Sequence, residues 1–558
     1  MRAMMLAAAL ITAIPTFTDA EAPPPPILAM GLCASGGGDI VDDKPAAKVA
    51  LLSGYGQAGM VIRTASPQAQ AYFDNGLELA HAFAHKGGYA AFEEAVRLDP
   101  KCAMCLWGQA WAGGPTINFT IDAKDQAEMA ALVARAEPLA ADGPPLERQM
   151  IAALKLRYQH GGGGGSGDLA FAQAMDDLAR AHPEDDTLAV LAADAWMIPA
   201  SLRDKKEHLP RAVGLLETVL KRSPNDAAAI HFYIHATEMS GFGARAEPYA
   251  DRLESLAPSA SHLTHMPSHT FYWVGRYEDA YKSNASAARL DVANAQAQGL
   301  TGPGAAFKLN YHAHNVRFGV GGAMMSGDGD GALALTRELV TLVPGLKPDQ
   351  VWPQMVAGDG FAAQGRYADP DAVLALPDPG DKLPYVQAMW RYGRGEALSR
   401  RGDAAGVRRE AAVVRLSAFR LRAFGDRAKF AASVTEVASL VLEGRAAMLD
   451  NQPKVAAKAF RKAADLEEKR FATMTDPPTW WYPVRRSQAA ALLAQGDTQG
   501  AVNAAKIALL HRPLDPISLN ILAQAERAQG QSAQADTHLA QARKGWAGDL
   551  SKVTLAQS

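Results

Sequence analysis

The sequence has little cysteine, few aromatic side chains, almost no net charge and no long apolar run beyond its first residues. Three cysteines in 558 residues leave little scope for thiolate chemistry. Aromatics are only 7%, and long alanine-rich stretches favour helices packed through small residues over a β-sandwich. Lys+Arg 56 against Asp+Glu 59 leaves a net charge of −3, so a strongly basic nucleic-acid binder is excluded and no nucleic-acid partner is expected. No segment after the N-terminus reaches the roughly 18 consecutive apolar residues of a membrane helix, so no integral membrane domain is expected. Also absent are His-Glu-x-x-His, Gly-x-Ser-x-Gly, a Walker A loop and a dinucleotide Gly-rich turn in a strand–helix setting. Motifs therefore assign no reaction.

What is present is a globular composition, 48% hydrophobic and 21% charged, in a chain too long for one core. Arg2, the apolar stretch Leu6 to Phe17 and the small residues at Thr18-Asp19-Ala20 read as a signal peptide over 1–20, which predicts a periplasmic or secreted protein. The Pro23 to Pro26 run and Gly36 to Gly38 read as a disordered tether over 21–66.

A 34-residue period follows. Pro224 and Pro258, Ala212 and Ala246, Gly496 and Gly530, and Ala501 and Ala535 are each 34 apart. A helix–turn–helix unit of that length is the tetratricopeptide repeat. Tyr72, Gly76, Phe92, Ala95 and Pro100 resemble its aromatic, small and closing positions, and Gly275-Arg276-Tyr277-Glu278-Asp279-Ala280 resembles its inter-helix turn. The expected fold is all-α, a tetratricopeptide-repeat superhelix of antiparallel helix pairs. Its regions are N-terminal repeats over 67–205 with a Gly-rich loop at 161–167, His-rich central repeats over 206–345, degenerate repeats over 346–475, C-terminal repeats over 476–546 and a tail over 547–558. Ala280 and Ala332 are 52 apart, one repeat plus an 18-residue insertion.

Histidine follows the same period. Seven of the 14 histidines lie between His231 and His314. The pair His231/His235 recurs 34 residues later as His265/His269. Counted from the closing prolines, His231 and His265 take position 5 of a first helix, and His235 and His269 take position 9. Glu238 takes position 12, while His262 and His314 take position 2. Pro267 falls at position 7, so that helix must start late or bend.

Asp-Pro-Lys-Cys-Ala-Met-Cys-Leu-Trp-Gly (99–108), Ile-His-Phe-Tyr-Ile-His-Ala-Thr-Glu (230–238), His-Leu-Thr-His-Met-Pro-Ser-His (262–269), Tyr-His-Ala-His-Asn (311–315) and Trp480-Trp481-Tyr482-Pro483-Val484-Arg485 together resemble a bacterial family of tetratricopeptide proteins. The resemblance implies the fold rather than an activity. It also implies that positions 2, 5, 9 and 12 line a concave groove.

Two functions fit this pattern. The first is a transition-metal site for Zn, Cu or Fe. Its ligands would be His231, His235, His265 and His269, with His262, His314 and Glu238 as further ligands or their partners, and Glu238 as the candidate general base. It requires at least three imidazole nitrogens within about 4–5 Å of one point. The second is a metal-free groove that grips a peptide or protein through Trp107, Trp111, His312, Asn315 and Arg317. Against both stands a purely structural role, with each histidine bonded to its own neighbour. Cys102 and Cys105 fit a reversible redox pair, a soft-metal pair or two small buried residues, and Leu106 in place of histidine excludes covalent haem.

Overall fold

The computed structural model describes residues 49–162, 165–204, 206–471 and 478–558. The expected signal peptide, and the tether as far as residue 48, lie outside the described residues.

The N-terminal half runs α1 (Pro67–His81), α2 (His85–Leu98), α3 (Ala103–Ala112), α4 (Ala123–Ala140), α5 (Pro145–Gln159), α6 (Gly167–Ala181), α7 (Asp186–Arg203), α8 (Leu209–Arg222) and α9 (Ala227–Met239). Two single turns, α10 (Glu247–Ala250) and α11 (Leu253–Leu256), precede α12 (Ser261–His265) and α13 (Pro267–Val274). There follow α14 (Tyr277–Ala297), α15 (His312–Ser326) and α16 (Gly329–Thr341). The chain continues through α17 (Val351–Tyr367), α18 (Pro370–Leu374), α19 (Pro384–Arg400), α20 (Ala404–Leu421), α21 (Asp426–Leu449), α22 (Pro453–Phe471), α23 (Arg485–Ala494), α24 (Thr498–His511), α25 (Pro516–Ala528) and α26 (Ser532–Lys544). Consecutive helices pack on one another, so this is an all-α superhelix of tetratricopeptide type.

Local chemistry sets the helix starts. Asp185, Asp226, Asp328, Asp403, Asp497 and Asp515 each cap a helix by accepting an N–H of its first turn. Helices α3, α9 and α12 begin at the residue that the repeat count assigns to position 1, and α15 begins one residue before it. Small residues set the spacing. A Cβ on Gly108 would stand 2.3 Å from the Phe92 ring, and one on Gly322 would stand 2.8 Å from the Tyr277 carbonyl, which brings α15 against α14.

Residues 49–66 depart from the expected disordered tether. They run extended along the helices, because side chains satisfy their backbone. Asn75 accepts the Leu52 N–H at 3.0 Å and donates to the Leu52 carbonyl at 2.6 Å. Gln70 pairs with Met60 and Ile62, and the Ser259 N–H donates to the Gly54 carbonyl at 2.8 Å. Such bonds leave no periodic trace in a sequence.

At Pro267, where the count expects a late start or a bend, the helix is divided into α12 and α13. The hydrogen-bond ladder is interrupted at Met266, which keeps helical backbone angles, and α13 restarts with proline in its first turn. Among the described residues no helix is long and apolar enough to cross a membrane.

Candidate metal centre

The histidines gather into two triads rather than one four-membered set. His231, His235 and His262 form the first, and His265, His269 and His314 the second, with ligand atoms all within 4.8 Å of one another in each. Each triad takes positions 5 and 9 of one repeat and position 2 of the next. The structure thus divides the expected quartet His231, His235, His265 and His269, because position 2 reaches back onto the preceding helix and closes a triad there. It also places these rings indoors. All six are at most 4% exposed, so they do not line an open groove.

In the second triad the hydrogen bonds fix two tautomers. Asn284 donates its amide to the Ala280 carbonyl at 2.7 Å, so its Oδ1 faces His265 and accepts from Nδ1–H at 2.7 Å. His269 donates Nδ1–H to Glu238 Oε2 at 2.6 Å. With both Nδ1 atoms committed as donors, the neutral form of each ring keeps its lone pair on Nε2, and the two Nε2 atoms stand 2.9 Å apart. His314 Nε2 stands 3.0 Å from His265 Nε2. Facing lone pairs at this distance repel in a neutral pair and attract a cation placed between them. Outward Nδ1–H groups held by a carboxylate and a fixed amide are the usual support for metal-bound imidazole. The Phe318 ring covers this triad, 4.7 to 5.1 Å from the three imidazoles.

In the first triad His231 donates Nδ1–H to the His81 backbone carbonyl at 2.7 Å, and its Nε2 faces His262 Nε2 at 3.2 Å. His235 Nε2 and His262 Nδ1 are buried without a protein partner. The Phe83 ring covers this triad, 4.4 Å from His231 and 4.8 Å from His262. Phe83 sits at φ 56°, a left-handed backbone that costs an aromatic residue about 1–3 kcal/mol. The strained residue thus stands at the candidate site.

Burial favours the neutral ring at five of the six histidines. It lowers His231 to about 3, and His81 and His85 to about 4. His235, His262, His265 and His314 are also lowered well below 6.5, first by burial and then by neighbouring imidazoles. Neutral imidazole is the metal-ligating form. The donor set therefore fits a transition metal in number, convergence, tautomer and protonation.

The remaining candidates have other partners. Glu238 accepts from His269, which makes it a support for that ring rather than a free base. Trp107 is fully buried and donates to the Met150 carbonyl at 3.1 Å, with Trp111 stacked on it. His312 and Asn315 both bond Asp291, at 3.1 and 2.9 Å. Arg317 is paired with Asp359 and lies over Trp352. Each of these five is at most 7% exposed, although His312 and Trp111 each line a cavity. Cys102 and Cys105 form a disulfide at the start of α3, which sets aside the soft-metal and free-thiol readings for this state.

Residues not anticipated from the sequence are Asn284, Phe83, Phe318 and the His81 carbonyl. Asn284, Phe83 and the His81 carbonyl approach from other elements or through backbone, where spacing gives no signal, whereas Phe318 stands one helical turn beyond His314 on α15, a spacing that could have found it.

No family model matches the chain, and no curated protein matches it. Among solved structures, a monomeric mutant of IFIT1 with Gppp-AAAA shares 14% identity over 84% of this chain and 95% of that one, at a TM-score of 0.33. Human IFIT1 dimer with m7Gppp-AAAA shares 13% identity over 76% of this chain and 87% of that one, at a TM-score of 0.30. The APC/C hetero-tetramer Cut9–Hcn1 shares 12% identity over 88% of this chain and 95% of that one, at a TM-score of 0.23.

Proposed function

We propose that this protein is an exported helical-repeat protein that binds a transition metal ion through Nε2 of His265, His269 and His314. The observation that carries the reading is the convergence of these nitrogens at 2.9 and 3.0 Å while His265 and His269 commit their Nδ1–H groups to Asn284 and Glu238. Three imidazoles leave a fourth position open on a tetrahedral ion, the arrangement that admits water or a substrate. The chain's own residues hold that geometry. Glu238 orients His269 and balances charge, Asn284 orients His265, and Phe318 excludes water from one side. Export is supported by the N-terminal signal pattern and by the Cys102–Cys105 disulfide, a bond at home in an oxidising compartment.

Elemental analysis of protein purified without a polyhistidine tag tests the reading. At least one equivalent of a transition metal per chain is expected, with the second triad's equivalent lost in His265→Ala at unchanged helicity. Metal-free protein that takes up none of zinc, copper or iron would overturn it. Mass spectrometry of the mature N-terminus tests export.

A second reading, a peptide- or protein-binding scaffold, is favoured by one observation. Asn75 already grips the extended backbone of the chain's own Leu52 from both sides. A partner that binds equally well after chelation of all metal would support it.

A further inference from the structure

We infer that the two triads form one paired metal centre, built by a single repeat step and filled by two copper(I) ions. This rests on the reading above and extends it from one ion to two.

The pairing follows from register. His231, His235 and His262 occupy positions 5, 9 and 2, and so do His265, His269 and His314. A superhelix that repeats its backbone every 34 residues repeats whatever those positions build. The two copies abut. The His235 ring lies 5.7 Å from His269, and the His262 ring lies 5.6 Å from His265, so imidazoles of one triad pack directly on those of the other. An ion in either site therefore feels the charge of an ion in the other.

The first triad has its own mark of a ligand. His235 Nε2 and His262 Nδ1 are nine-tenths or more buried and bond to no protein atom. Leaving such a polar atom unpaired in a dry interior costs about 1–3 kcal/mol. Coordination of His235 Nε2 beside His231 Nε2 removes that cost at the first atom.

Charge selects the ion. Glu238 supplies one carboxylate, bonded to His269. The nearby acid Asp291 is committed to His312 and Asn315. Two divalent ions would bring four positive charges against the one negative charge at Glu238, the nearby Arg317 guanidinium being balanced by Asp359. Two copper(I) ions bring half of that. Buried uncompensated charge is strongly penalised, so the lower charge wins. Imidazole suits copper, and a three-nitrogen set without carboxylate matches copper(I) better than the carboxylate-rich sites of paired iron.

The test is an anaerobic titration of the full chain, stripped of metal, with copper(I) against a chromogenic copper(I) chelator. About two equivalents per chain are expected, falling to about one in His235→Ala and to about one in His269→Ala, at parental circular dichroism. A single equivalent that survives His235→Ala but not His269→Ala would overturn the pair and leave the one-ion reading intact. No uptake of any metal would overturn both. Two equivalents of zinc with no retention of copper(I) would overturn the ion assignment. A second readout avoids dependence on variant folding. After oxidation of loaded wild-type protein with ferricyanide, one electron leaving each copper, the paramagnetic copper(II) spectrum should show dipolar splitting and a half-field transition, because the two sites are close enough for through-space coupling. A spectrum of isolated copper(II) with no half-field transition would overturn the pairing.

Discussion

The two histidine triads share a repeat register and differ in what stands behind the rings. In the second, a carboxylate and an oriented amide hold the Nδ1–H groups of His269 and His265. In the first, His231 has a backbone carbonyl, while His235 and His262 each keep a buried nitrogen without a protein partner. The coverings differ as well. Phe318 lies within α15, whereas Phe83 is held in a left-handed backbone between α1 and α2. The comparison teaches that a repeat can copy ligand positions by translation but cannot copy their support. Adding 34 to Glu238 gives Tyr272, whose hydroxyl bonds the Phe318 carbonyl, and subtracting 34 from Asn284 gives Ala250. The proposed metal reading therefore predicts tighter binding at the second triad.

Acid tests what the triads share. The lowered values of His81, His85, His231, His235, His262, His265 and His314 mean that the fold holds neutral rings that would protonate near 6.5 once unfolded. Their contribution is fully present above pH 6.5 and is lost as the pH falls toward 4 and then 3. Each ring removes about 1.4 kcal/mol per pH unit in that window. Metal-free protein should unfold steeply on acidification through this range, and bound metal should move the midpoint to lower pH. Circular dichroism against pH checks this; a flat profile down to pH 4 would show that the rings are not buried neutral.

Smaller effects separate the triads. His265→Ala removes the ring that touches both His269 and His314, and should abolish metal binding at the second triad while the first retains its ion. Competition with a chelator of known affinity reads this directly. Glu238→Gln should weaken the second triad by about 10–100-fold and leave the first unchanged. Equal weakening of both would deny Glu238 its selective role. Asn284→Ala should cost about 1–3 kcal/mol of stability by leaving His265 Nδ1–H unpaired, with a lesser loss of affinity than Glu238→Gln. Chemical denaturation of metal-free protein measures the first effect.

Much of the fold was legible because helix periodicity and closing prolines are local. The starts of α3, α9 and α12 fall where the repeat count puts them. The six histidines were legible as a set because they recur with the repeat. Their division into triads was not. It depends on how far position 2 of one repeat reaches onto its predecessor and on the break between α12 and α13 at Met266, both properties of the assembled superhelix. Asn284 and the His81 carbonyl reach the rings from helices 19 residues or 150 residues away in sequence, beyond any spacing rule. Trp107, Trp111 and Arg317 sat at groove-facing positions by count, with His312 just before its helix and Asn315 beside His314. In the fold, their neighbours close over them.

X-ray absorption at the metal edge tests the central claim most directly. For protein loaded with one metal equivalent, the account predicts a first shell dominated by nitrogen at about 2.0–2.1 Å with imidazole outer-shell scattering, lost in His265→Ala. A shell of oxygen alone, or of sulfur, or one unchanged by His265→Ala, would contradict it.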